Sequence, residues 1–138
     1  MIGILIVTHG QIGASLLESA TQILDVAPRL TATLGVSRQD DPDDLVLRAR
    51  RLVKQLDEGD GVLVLTDIFG ATPGNVIAKV LVDGRIEGVS GLSLPMLLRV
   101  LTSRNGSARD ALRGAVQRAL SGGQEGVVHM NTDRCCDA

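Results

Sequence analysis

His9 and Asp67 are two residues whose types and settings could do chemistry together. His9 follows an aliphatic run, residues 2–7, and opens the stretch Thr8-His9-Gly10-Gln11-Ile12-Gly13. Imidazole is largely neutral near pH 7, so one ring nitrogen can attack phosphorus. The N–P bond so formed stays labile enough for onward transfer. The other ring nitrogen then needs an acceptor that fixes its tautomer. A carboxylate serves best, because it also stabilises positive charge as it develops on the ring. Asp67 offers one, in Thr66-Asp67-Ile68-Phe69-Gly70-Ala71-Thr72-Pro73. Gly10 and Gly13 permit tight turns and close approach by a ligand, and free N–H groups of a helix starting there would favour an anion. Gly70 gives the second loop room to turn. Thr72 would cap the following helix and could donate to a phosphoryl oxygen. The pattern predicts phosphoryl transfer, with His9 as nucleophile, Asp67 in support and Gly10, Gly70 and Thr72 around the phosphoryl group. Each residue alone has an ordinary use: a structural histidine, a loop carboxylate, an N-cap.

Two loops can meet only if the elements before them are neighbours. Short aliphatic runs alternate with amphipathic stretches along the chain. Residues 2–7, 31–36, 61–66, 86–90 and 126–130 read as strands. Residues 14–27, 42–56, 72–82, 95–102 and 108–120 read as helices. Asp41-Pro42 and Thr72-Pro73 look like caps followed by a first-turn proline, and Ser107-x-x-Asp110 like a capping box. Asp83-Gly84 reads as a turn and residues 121–123 as a helix breaker. This alternation predicts an α/β fold in three layers, with a mainly parallel central sheet and helices on both faces. In such sheets the site lies at the carboxyl ends of the strands, where strand order reverses. That rule selects the loops after the first and third strands, which hold His9 and Asp67. Residues 1–130 are expected to form one domain, and 131–138 a tail.

The 138 residues suffice for a proper core, and 44% of them are apolar, which excludes disorder for the body of the chain. With one Phe and neither Trp nor Tyr, the core must be aliphatic. The same lack removes stacking platforms for single-stranded nucleic acid. A net charge of −2 offers no basic face for a duplex, and nucleic acid is not an expected partner. No apolar run approaches a membrane span. The amino terminus lacks the basic segment and cleavage site of a secretory signal, so a cytoplasmic location is expected. Cys135 and Cys136 form no disulfide framework, and with His129 they match no common zinc spacing. Neither a metal nor another cofactor is expected. Arg104, Arg109, Arg113 and Arg118 read as a solvated helix face, and residues 95–101 as core.

Three stretches carry a resemblance to a known family: IGILIVTHG with Gly13, then LVLTDIFGATPGN, then VSGLSLPMLLRVL. In this order and spacing the chain resembles, over about residues 2–130, the IIA component of the mannose-type phosphoenolpyruvate:sugar phosphotransferase system. The resemblance implies a phosphohistidine carrier, with His9 phosphorylated and Asp67 supporting it. It implies the phosphocarrier protein HPr as donor, and a IIB domain or a regulatory target as acceptor. It also implies a homodimer whose last strand, residues 126–130, crosses to the partner subunit. Ala71-Thr72 stands where the family often has Gly-Ser, and keeps the hydroxyl. Gly74 replaces a common aromatic residue, and Ser93 a frequent Asn. The chain ends without the linker and IIB domain that some relatives carry, so a stand-alone carrier is expected as readily as a sugar-uptake subunit. Two other readings stay open: the phosphotransfer subunit of dihydroxyacetone kinase, and a histidine-phosphatase-like hydrolase, in which His129 would be the second histidine. A receiver domain would need an acidic pair where Thr8-His9 stands.

Overall fold

In the computed structural model, which describes residues 1–104 and 110–132, strands and helices alternate until the end. They run β1 (Gly3–His9), α1 (Ile12–Leu24), β2 (Thr31–Val36), α2 (Pro42–Leu56), β3 (Val62–Thr66), α3 (Thr72–Ala78), β4 (Ile86–Val89), α4 (Leu94–Thr102) and α5 (Ala111–Glu125). The sheet order is β2-β1-β3-β4 and every ladder is parallel. This is the three-layer α/β fold read from the sequence.

Why the central strands are apolar at every position follows from the two-residue period of a strand. Ile2, just before β1, and Ile4 and Ile6 on it join Leu63 and Leu65 of β3 in a core with Ala20, Leu97, Val100, Ala115 and Ala119, on the side of α1, α4 and α5. Leu5 and Val7 point the other way. They join Val62 and Val64 against Leu45, Ala49, Val53, Val76 and Ile77 of α2 and α3. Each such Val, Leu or Ile side chain contributes about 1.5–3 kcal/mol of burial, and both faces of the sheet carry such side chains. Among the described residues no helix is long and apolar enough to cross a membrane.

Two of the five described helix starts carry a side-chain cap. Asp41 Oδ1 accepts from the Asp43 N–H at 3.3 Å, with Pro42 in the first turn. Ser93 Oγ accepts from the Met96 N–H at 3.3 Å, with Pro95 alongside. Thr72 does not cap α3: Ala71 holds the cap position and Thr72 is already in the first turn. That helix stops at Ala78 rather than at residue 82, because a bridge between Val82 and Ile86 closes the turn into β4. Helix α1 stops at Leu24 rather than at residue 27, where Asp25 takes a left-handed conformation (φ 56°). Asp110 makes no side-chain cap, and the rest of that capping box, with Arg109, Cys135 and Cys136, lies outside the described residues.

Two expectations are corrected. Residues 121–123 do not break α5, which continues to Glu125. Their glycines let α5 lie close against α4: a Cβ on Gly122 would sit 3.3 Å from Met96 Cα, and one on Gly123 2.9 Å from Met96 Cε. Arg99 completes the seam by pairing with Glu125. Residues 126–130 are consequently not a strand here: the helix consumes the residues before them, and 127–129 pair with no strand of this sheet. Val127, Val128 and Met130 are exposed.

Arg104 is a third correction. It is not on a solvated face but 4% exposed. Its Nη1 donates to the carbonyls of Ile2 (3.0 Å) and Leu30 (3.2 Å). Its Nη2 donates to Thr31 Oγ1 at 3.0 Å and to the Arg29 carbonyl. The guanidinium thereby ties the segment after α4 to the starts of β1 and β2. Burial, with the Arg29 charge adding to it, pushes its pKa down to about 10.

Candidate functional site

The winding of the chain reverses beside β1. Helix α1 packs its Leu16, Leu17 and Ala20 on one face of the sheet on the way to β2. Helix α2 returns across the other face to β3, which pairs with the free side of β1, Val7 opposite Thr66. The carboxyl ends of β1 and β3 thus lie together at the point where strand order reverses, and the next residues out are His9 and Asp67.

They are in direct contact. Asp67 Oδ2 lies 2.8 Å from His9 Nδ1 and also accepts the His9 backbone N–H at 3.1 Å. Oδ1 accepts the Ile68 N–H at 3.0 Å. The imidazole side chain is 48% exposed and the carboxylate 13%. Burial alone would raise the Asp67 pKa. Hydrogen bonds from the His9 ring and backbone, the ring's charge and the Ile68 N–H outweigh it, and hold the carboxyl below its ordinary value. An ionised carboxylate only accepts, so Nδ1 carries the hydrogen and Nε2 keeps the lone pair.

Besides the Asp67 contact, the loop that carries the ring is pinned at two points. Thr8, buried beneath it, accepts the Gly13 N–H on Oγ1 at 2.8 Å. That bond satisfies one open donor of the first turn of α1. The Gly10 N–H donates to the Val36 carbonyl at the end of β2, at 2.9 Å. Gly10 itself sits at φ +49°, and Gly70 in the second loop at φ +88°. Side chains rarely adopt either conformation. Gly70 and Thr72 make no hydrogen bond to His9 or Asp67 among the described residues. Thr72 is exposed. Around the pair stand Ile12, Ile68 and Phe69, which are 47%, 56% and 84% exposed.

Sequence reasoning missed the supporting residues Thr8 and Thr66, which are buried polar positions at the ends of otherwise apolar strands. That break in the apolar run was the available signal. His129 is exposed, and its Nδ1 lies 2.7 Å from Thr132 Oγ1. Among the described residues no group of three or more His, Cys, Asp or Glu side chains could hold a metal ion.

Comparison with known proteins bears on the whole of this arrangement. Residues 3–117 match the EIIA-man family model, described as the PTS system fructose IIA component. The PTS system fructose-specific EIIA component of Bacillus subtilis is 33% identical over 105 residues, covering 75% of this chain and 71% of that protein. The PTS system mannose-specific EIIAB component of Escherichia coli K12 is 28% identical over 127 residues, or 91% of this chain. The chain spans only 38% of that relative's length. The crystal structure of a phosphotransferase system component EIIA from Streptococcus agalactiae superposes with a TM-score of 0.82 at 29% identity, covering 96% of this chain and 99% of that one. The chain belongs to the EIIA-man family of phosphotransferase-system IIA components.

Proposed function

We propose that this protein is a cytoplasmic phosphohistidine carrier in which His9 Nε2 takes a phosphoryl group from HPr and passes it to a IIB domain or a regulatory target. One observation carries the reading: a half-exposed imidazole, at the carboxyl edge of a parallel sheet, has Nδ1 held 2.8 Å from a carboxylate and Nε2 left as nucleophile. The Nε2 lone pair attacks phosphorus while the donor's bond to phosphorus breaks. The ring gains positive charge and Asp67 offsets it. No proton has to leave Nδ1, so the charged ring remains a good leaving group for the next transfer.

Gly10, Gly70 and Thr72 are proposed to surround the phosphoryl oxygens. Thr72 is free to do so because Ala71, not its own hydroxyl, occupies the cap position of α3. The exposed apolar side chains Ile12, Ile68 and Phe69 suit a surface that partner proteins cover and release. Residues 1–130 would act as one domain. A homodimer is part of the proposal: Val127, Val128 and Met130 lie exposed beyond α5, and a second copy would offer them a sheet edge to join. The histidine-phosphatase reading finds no support in the placement of His129, whose ring contacts Thr132.

The test is labelling by radioactive phosphoenolpyruvate with Enzyme I and HPr. Wild type is expected to take up label that is lost in acid and kept in alkali. Label retained by His9→Ala would refute the assignment.

A further inference from the structure

We propose that Thr66 is a positioning residue for the Asp67 carboxylate, and through it for the tautomer of His9. The inference rests on the phosphocarrier reading and names a residue outside it. Thr66 closes β3, opposite Val7 of β1, and is 4% exposed. A polar side chain at that point of the strand needs a hydrogen-bond partner. Its one hydrogen bond among the described residues runs from Oγ1 to Asp67 Oδ1, at 3.3 Å. Because an ionised carboxylate cannot donate, the threonine hydroxyl is the donor.

The carboxylate therefore receives four hydrogen bonds, two on each oxygen. Oδ2 is held by the backbone and ring of His9, and Oδ1 by the Ile68 N–H and Thr66. Of the first three donors, two belong to His9, the exposed last residue of β1, and one to Ile68 in the exposed loop after β3. Thr66 alone reaches the carboxylate from a buried strand position, paired with Val7 of β1 on one side and accepting the Leu92 N–H on its carbonyl at 3.0 Å. It thus refers the carboxylate plane to the rigid sheet. Without it, the carboxyl group can pivot with its loop, and the ring is free to return toward the proton distribution of unrestrained histidine. The contact is long for an O–H···O bond, so its effect lies in orientation rather than in overall stability. Thr8, the buried threonine of the neighbouring strand, works differently: its hydroxyl accepts the Gly13 N–H and shapes the loop.

The test compares Thr66→Val, which keeps shape and strand preference but removes the hydroxyl, with Thr66→Ser, which keeps the hydroxyl. Nitrogen-15 spectra of the isolated, unphosphorylated protein read the tautomer of His9. Phosphoryl transfer from HPr reads the consequence. Thr66→Val is expected to lower the share of ring hydrogen on Nδ1 and to slow transfer by about three- to tenfold, on the scale of one weak hydrogen bond to a charged group. Thr66→Ser is expected to restore both. Thr66→Ala repeats the comparison if the valine disturbs the fold. A wild-type tautomer ratio in the valine and alanine variants would overturn the proposal. So would an altered ratio with unchanged transfer, or failure of serine to restore either. The tautomer needs no partner protein, so this result is separable from failure of the carrier reading, which shows as label retained by His9→Ala.

Discussion

The two ends of the sheet hold two nitrogen-bearing side chains in opposite ways. At the carboxyl ends, His9 stands half exposed against a single carboxylate. At the amino ends, Arg104 is sealed in the interior and satisfied by three main-chain carbonyls and one threonine hydroxyl, with no acid among its described partners. A buried charge met only by dipoles is costly to bring in and more costly to strand, so it is structural. A charge that can come and go beside a carboxylate near solvent is suited to turnover. The same sheet thus separates stability from chemistry by end.

That contrast is open to direct attack. The largest effect is expected from His9→Ala: complete loss of phosphate uptake, with urea unfolding within about 0.5 kcal/mol of wild type. A strongly destabilised His9→Ala would break the division of labour. Next is Arg104→Met, which leaves buried carbonyls without donors. It should cost about 2–4 kcal/mol in urea unfolding, while folded protein still accepts phosphate at 25 °C. Loss of labelling by soluble, folded Arg104→Met would show that the two ends are coupled. Asp67→Ala is expected to slow transfer by about 10- to 100-fold, as is usual when the group orienting an imidazole is removed, with the circular dichroism spectrum unchanged. An unchanged rate would remove Asp67 from the mechanism.

The smallest effect concerns pH. The Asp67 carboxyl titrates below its ordinary value of 3.8 in the folded protein. A depressed folded pKa contributes stability that is fully present above the unfolded pKa and lost as pH falls through the folded one. Wild type should therefore lose its stability advantage over Asp67→Asn from about pH 4 downward and keep it unchanged between pH 5 and 8. Thermal unfolding of both proteins across that range reads the difference. An advantage that grew in acid would reverse the sign and the interpretation.

The layout of the fold was legible because each strand–helix alternation is a local pattern, and the aliphatic runs of β1 and β3 leave no exposed face to place elsewhere. The contact of His9 with Asp67 followed from one further rule, that such sites gather where strand order reverses. What was not legible depends on distant partners. Arg104 looks like any arginine near a helix end until the starts of β1 and β2 are brought to it. Gly122 and Gly123 look like a break, because nothing local says that α4 must come within contact of them. The terminal segment is similar: an apolar run such as 126–130 has strand character, but a strand needs a pairing partner, and residues 127–129 pair with no strand of this sheet. Thr66 was read as the end of a strand, and the direction of its hydroxyl is a tertiary fact.

The aliphatic interior has a practical side. Lacking Trp and Tyr, with its one Phe 84% exposed beside Asp67, the molecule is nearly silent in the near ultraviolet. An indole placed at position 69 would be its sole fluorophore, already standing on the rim where partners must land. Each encounter and release could then be followed by emission, against a dark background and with no core side chain altered.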